Sequence, residues 1–114
     1  MTNRLAIALA LCVVPMAAAE AGSYETGTSL KAKCDESDAS IQKMACTSYI
    51  AATADAMDDG NSLDGFRACI PVKITQGQLM AVIQRSLSRH PEKLHLSASG
   101  LVAKALAEAF SCGK

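Results

Sequence analysis

Along the 114-residue chain, apolar positions form one unbroken run near the start and then periodic stretches separated by polar turns. The unbroken run, Leu5 to Met16, follows Met1-Thr2-Asn3-Arg4 and gives way to Ala17-Ala18-Ala19-Glu20-Ala21. That is the charged, apolar and small-residue order of a cleavable secretory signal. A run of about a dozen residues, interrupted by Pro15, is shorter than the roughly 20 needed for a permanent membrane helix, so no integral membrane segment is expected after cleavage. The A-x-A pattern fits cleavage after Ala19 or after Ala21; residues 1–21 are read as the signal and 22–114 as the mature domain. Cys12 sits where a lipoprotein would be acylated, but Leu11 stands before it in place of a small residue.

In the mature part, Gly22 to Thr28 is small and polar and reads as a flexible N-terminus. A short helix is expected from about Ser29 to Cys34, dependent on packing or on a bridge at Cys34. Beyond the polar turn Asp35 to Asp38, Ile41, Ala45, Tyr49, Ala52 and Ala56 recur at steps of three or four. This predicts a helix from about Ala39 to Met57, capped by Asp38. Cys46, Ile50, Ala54 and Met57 line an adjacent stripe, as in a central helix that meets more than one partner.

The next helix start is spelled out in full. Thr75 is placed to cap, Gln78 to reach back three residues later, and Ile74 to staple onto Leu79. Leu79, Ile83 and Leu87 share one face of this helix, flanked by Met80 and Val82, and Pro91 forces its end. A last helix, about Ala98 to Phe110, keeps Leu101, Val102, Ala105 and Leu106 at core spacing and Lys104 and Glu108 outside as an i,i+4 pair. The pattern as a whole predicts an all-α fold, a small disulfide-stapled bundle of about four helices.

Composition narrows this further. With no tryptophan, two tyrosines and two phenylalanines, the core must be built from aliphatic residues and alanine, which suits closely packed helices. The formal charge is zero and no basic cluster interleaves with aromatics, so nucleic acid is excluded as a partner. Four cysteines remain after the signal, Cys34, Cys46, Cys69 and Cys112, an even number in a chain sent to an oxidising compartment. An antiparallel hairpin of the last two helices brings the chain end back beside Thr75, which favours Cys69 with Cys112 and leaves Cys34 with Cys46. Four cysteines nevertheless allow three pairings.

Candidate chemistry is sparse. The loop from Asp58 to Gly65 is acidic, but it lacks the alternating ligands and closing glutamate of a calcium site. His90, Glu92 and His95 invite zinc, yet the histidines are five residues apart, Pro91 lies between them, and no third ligand is near. The plainer reading is a short turn opened by Pro91 and Glu92, with His95 packing against or capping the last helix. A cysteine nucleophile needs a free thiolate, and a serine nucleophile lacks its flanking glycines. No catalytic residue, metal or cofactor is assigned, and the chain is read as a non-enzyme.

The second half also carries a specific resemblance. Cys69-Ile70-Pro71, Thr75 with Gly77-Gln78-Leu79, His90-Pro91-Glu92 with His95, then Leu101-Val102, Ala105-Leu106, Ala109-Phe110 and Cys112 resemble the signature of the Rap/Tai immunity family. The first half is similar more loosely, through Leu30, Cys34 and Ala45-Cys46-Thr47-Ser48-Tyr49-Ile50 with Ala54-Asp55-Ala56; Ser48 stands where a glycine is common, and Ser111 where a proline is. The resemblance implies a periplasmic, helical, dimer-forming protein that neutralises a peptidoglycan amidase effector delivered by type VI secretion. It further implies inhibition by occlusion, a rigid body pressing a loop into the effector's cleft. Loops on a rigid scaffold commonly carry recognition, so the candidate partner-binding residues are Asp58, Asp59 and Asp64 of the acidic loop and His90, Glu92 and His95 of the turn. The alternative is a periplasmic chaperone or stress-protection protein that binds unfolded clients.

Overall fold

The computed structural model describes residues 24–113. The signal, its cleavage site and Cys12 lie outside the described residues. Within them the chain forms α1 (Gly27–Cys34), α2 (Ile41–Ala56), α3 (Gln76–Arg89) and α4 (Ala98–Ala109), with short 3-10 turns at Asp58–Gly60 and Pro91–Lys93. Among the described residues there is no strand, only two isolated antiparallel bridges, Thr26 with Ser97 and Leu63 with Phe66. None of these helices is long and apolar enough to cross a membrane.

The predicted start of α3 is present in detail. The Thr75 hydroxyl accepts from the Gln78 N–H at 3.1 Å, and the Gln78 side chain accepts from the Thr75 N–H at 2.9 Å. Two N–H groups that have no partner inside the helix are thereby satisfied. The helix ends at Arg89, with His90 outside helical geometry (φ −125°, ψ 58°) ahead of Pro91. Residues Pro91–Lys93 form the short turn that the proline opens.

Two helix starts differ from expectation. The α2 cap is Ser40, not Asp38: its hydroxyl accepts from the Lys43 N–H at 3.0 Å, because residues 37–40 first close a turn of their own through Ser40 N–H to the Ser37 carbonyl. And Thr26 to Thr28 are ordered rather than loose. Thr26 and Ser29 form a reciprocal capping box, while the Gly27 and Thr28 N–H groups donate to the Leu96 and Leu94 carbonyls at 2.9 and 2.8 Å. Gly27 is buried, and a Cβ there would lie 2.9 Å from the Leu94 backbone and 2.5 Å from a Leu101 methyl. Glycine is required because two pieces of backbone meet.

The two stripes of α2 have different fates. Cys46, Ile50, Thr53, Ala54 and Met57 are buried, and through them α2 packs against all three other helices. The first stripe, by contrast, faces outward: Ile41 is 80% exposed and Met44 beside it 60%, with Ala45, Ala52 and Ala56 also exposed and only Tyr49 packed against the core. A helix apolar on two sides thus has one side in the core and one on the surface.

The core joins Leu30 of α1, Ile50 and Met57, Ile83 of α3, and Val102 and Leu106 of α4, all fully buried. Both preferred disulfides are formed. Cys34–Cys46 is buried with the core and clamps α1 to α2, with Cα atoms 5.1 Å apart. Cys69–Cys112 lies at the surface and ties the segment before α3 to the one after α4, Cα atoms 4.8 Å apart, beside a Cys69 N–H to Phe110 carbonyl hydrogen bond of 2.7 Å. The last carbonyl of α1, that of Cys34, accepts from Lys43 Nζ of α2 (2.6 Å) and Gln84 Nε2 of α3 (2.9 Å), so three helices share one polar anchor.

Candidate partner-binding surface

The acidic loop leaves α2 at Met57, which is fully buried and holds its root. Two pairs of left-handed residues shape it, Asp59 (φ 55°) with Gly60 (φ 75°) and Asp64 (φ 50°) with Gly65 (φ 79°). Aspartate and glycine are the residue types that reach this region at least cost. The second pair is the tip of a tight turn closed by reciprocal Leu63 and Phe66 hydrogen bonds of 2.9 Å, and both closing residues pack against the core. The loop is anchored at three places, Met57, Leu63 and Phe66.

Its three aspartates do different things. Asp59 is exposed at the bend. Asp58 is exposed too, and together with Asp55 it rims a groove of about 360 Å³ between the end of α2 and residues 70–76, with Ala54, Ile70, Val72 and Leu79 among its apolar walls. Asp64 turns inward along the surface: a Cβ on Gly100 would lie 2.7 Å from its carboxylate oxygen, so the carboxylate rests over the first turn of α4. A negative group is favoured at a helix N-terminus. Nearby, burial raises the Tyr49 hydroxyl above its usual pKa, against a hydrogen bond with Ser99 that lowers it.

The turn between α3 and α4 presents His90 and Glu92 to solvent, their side chains 46% and 62% exposed and 3.4 Å apart. The Glu92 carboxyl is held below its ordinary value by a backbone N–H first and by His90 after it. His95 is exposed, and the residue at the α4 cap position is Ser97, so His95 does not cap that helix. Exposure follows from the tie of this segment to α1: the Leu94 and Leu96 carbonyls accept from the Thr28 and Gly27 N–H groups respectively, which leaves the intervening side chain facing water.

The structure therefore keeps the two candidate surfaces apart in chemistry, an acidic one at the end of α2 and the histidine turn after α3. Asp64 comes close to the helix into which the turn leads. Sequence reasoning missed Asp55, which shares the Asp58 groove, and Arg85 and Arg89, which share a groove with His90. Their only signal is i,i+3 and i,i+4 spacing, common on any solvated helix face. Among the described residues no group of three His, Cys, Asp or Glu side chains is placed to hold a metal ion.

Comparison with known proteins adds one finding. The family model of the Rap1a immunity proteins matches residues 26–112, a span that runs from the Thr26 cap to Cys112 and takes in all four helices and both disulfides. No curated protein matches the chain. The match over the whole helical domain agrees with the similarity read from Cys69 to Cys112, and the chain belongs to the Rap1a immunity protein family.

Proposed function

We propose that this chain is the periplasmic antidote to a peptidoglycan amidase delivered by type VI secretion, which it neutralises by binding and covering the catalytic cleft. The observation that carries the reading is family membership across the entire domain. Two features support it. Both disulfides suit an oxidising compartment, the destination expected of residues 1–21 read as a signal. And the acidic loop is braced at its root, tip and closing pair, as suits an element that enters a cleft without losing much entropy on binding.

On this reading the chain performs no chemistry. Asp58, Asp59 and the His90, Glu92 and His95 turn make the contacts, Asp64 holds the loop against α4, and a homodimer presents two such bodies. The test is survival of cells that direct the neighbouring-locus amidase to the periplasm. Co-expression of the full chain should rescue growth, whereas a version lacking residues 1–21 should not. Rescue by the leaderless version, or lysis despite exported antidote, would overturn the proposal.

A further inference from the structure

The groove between α3 and α4 carries charge that the fold itself does not use. Arg85 and Arg89, one turn apart on α3, line a groove of about 230 Å³ with Ser86 and His90. Neither arginine makes an ion pair with any described residue. Val82 of α3 and Ala105 and Ala109 of α4 also line it, and Glu108 is its one carboxylate.

A second observation points the same way. Ser86, His90 and Glu108 also border an adjoining cleft that contains Lys93 and Lys104. The two amines are close enough that a hydrogen bond from Lys104, which only an uncharged Lys93 can accept, and then the Lys104 charge hold Lys93 below its ordinary pKa. Glu108 approaches Lys104 at 3.8 Å, and Glu92 faces His90. Four basic side chains therefore gather around two carboxylates, on a chain whose formal charge is zero. Like charges crowded at one place raise the energy of the free surface and lower it when an anion arrives.

We propose that this α3–α4 groove docks an acidic segment of a protein partner, with its carboxylates on Arg85 and Arg89 and its backbone over Ala105 and Ala109. The lining selects the chemistry. A guanidinium fork matches a carboxylate through two parallel hydrogen bonds, and small apolar side chains between charged rims leave room for a peptide backbone that a bare phosphate would not fill. The inference goes beyond the immunity reading and does not depend on the toxin being an amidase.

The test is an NMR titration of the mature, oxidised chain with a hexaglutamate peptide, and separately with inorganic phosphate and with phosphatidylglycerol vesicles. Saturable shifts confined to the second halves of α3 and α4, weakening as salt is added, are expected. Arg85→Glu with Arg89→Glu should weaken peptide binding by about tenfold, as loss of two partly exposed charge-assisted contacts predicts. Both side chains are exposed, so helix content by circular dichroism should be unchanged. Glu108→Gln should instead tighten binding. Absent or scattered shifts, insensitivity to the double reversal, or phosphate or vesicles occupying the groove as strongly as the peptide would each overturn the proposal.

Discussion

At the scale of single residues, the strictest requirements sit where α1 meets the segment before α4. Gly27 is needed for the contact with the Leu94 backbone, which cannot retreat without breaking the Thr28 N–H to Leu94 carbonyl bond. Gly27→Ala should lose about 1 to 3 kcal/mol, the range for overpacking a tight site, read as a lower denaturation midpoint. Glu25, its side chain only 14% exposed, is the charged counterpart of this junction. Burial pushes its carboxyl pKa up, but Lys33 and Ser29 outweigh burial and leave it below the ordinary 4.5. A lowered folded-state value means stabilisation that is complete above 4.5 and lost as pH falls through the folded value. Glu25→Gln should therefore reduce the melting temperature at neutral pH, with the difference from the parent vanishing in acid. A gap that persists in acid would mean the carboxylate's charge is not what counts. These residues were poorly legible in the sequence, for one local and one distant reason. The Thr26 and Ser29 box uses serine where the familiar pattern has glutamate or glutamine, and Gly27 owes its role to residues nearly seventy positions away.

Between elements, the disulfides divide the work. In the chain-entropy account, closing the shorter Cys34–Cys46 loop contributes about 3 kcal/mol and the longer Cys69–Cys112 loop about 4 kcal/mol. Access runs the other way, since Cys34 and Cys46 are fully buried while Cys69 and Cys112 are exposed. A limiting dose of reductant followed by alkylation should label Cys69 and Cys112 first, with Cys34 and Cys46 protected until the core opens. Equal labelling of all four cysteines would contradict the buried placement of the first bridge. The helices were legible to the extent that their signals are local. The Thr75 and Gln78 box, the stop before Pro91 and the Lys104 and Glu108 pair all stand as the spacing predicts. What spacing could not decide was which stripe of α2 would be buried, because both are apolar and the choice depends on where α1, α3 and α4 arrive. The stripe through Ile41 remains outside, and replacing Ile41 and Met44 by polar residues should leave the fold's stability within about 0.5 kcal/mol, as for surface changes generally.

At the scale of the whole molecule, a stapled four-helix body holds an acidic loop at the end of α2 and a basic, histidine-bearing edge along α3 and α4. The scaffold was readable from periodicity and cysteines, whereas the charged edge was not. Arg85, Arg89, Lys93 and Lys104 come from three elements, and they collect only when α3 and α4 pack side by side. Family membership then supplies the biological setting, and the central claim is that this body inhibits a toxin in equal proportion without acting on it. The most direct measurement is a titration of the purified, oxidised chain into the amidase effector that the proposal assigns to it, following peptidoglycan cleavage. Activity should fall linearly to nothing at one chain per enzyme, with both proteins recovered intact from the complex. Full cleavage in the presence of excess chain, or complete inactivation by a small fraction of an equivalent, would contradict the account.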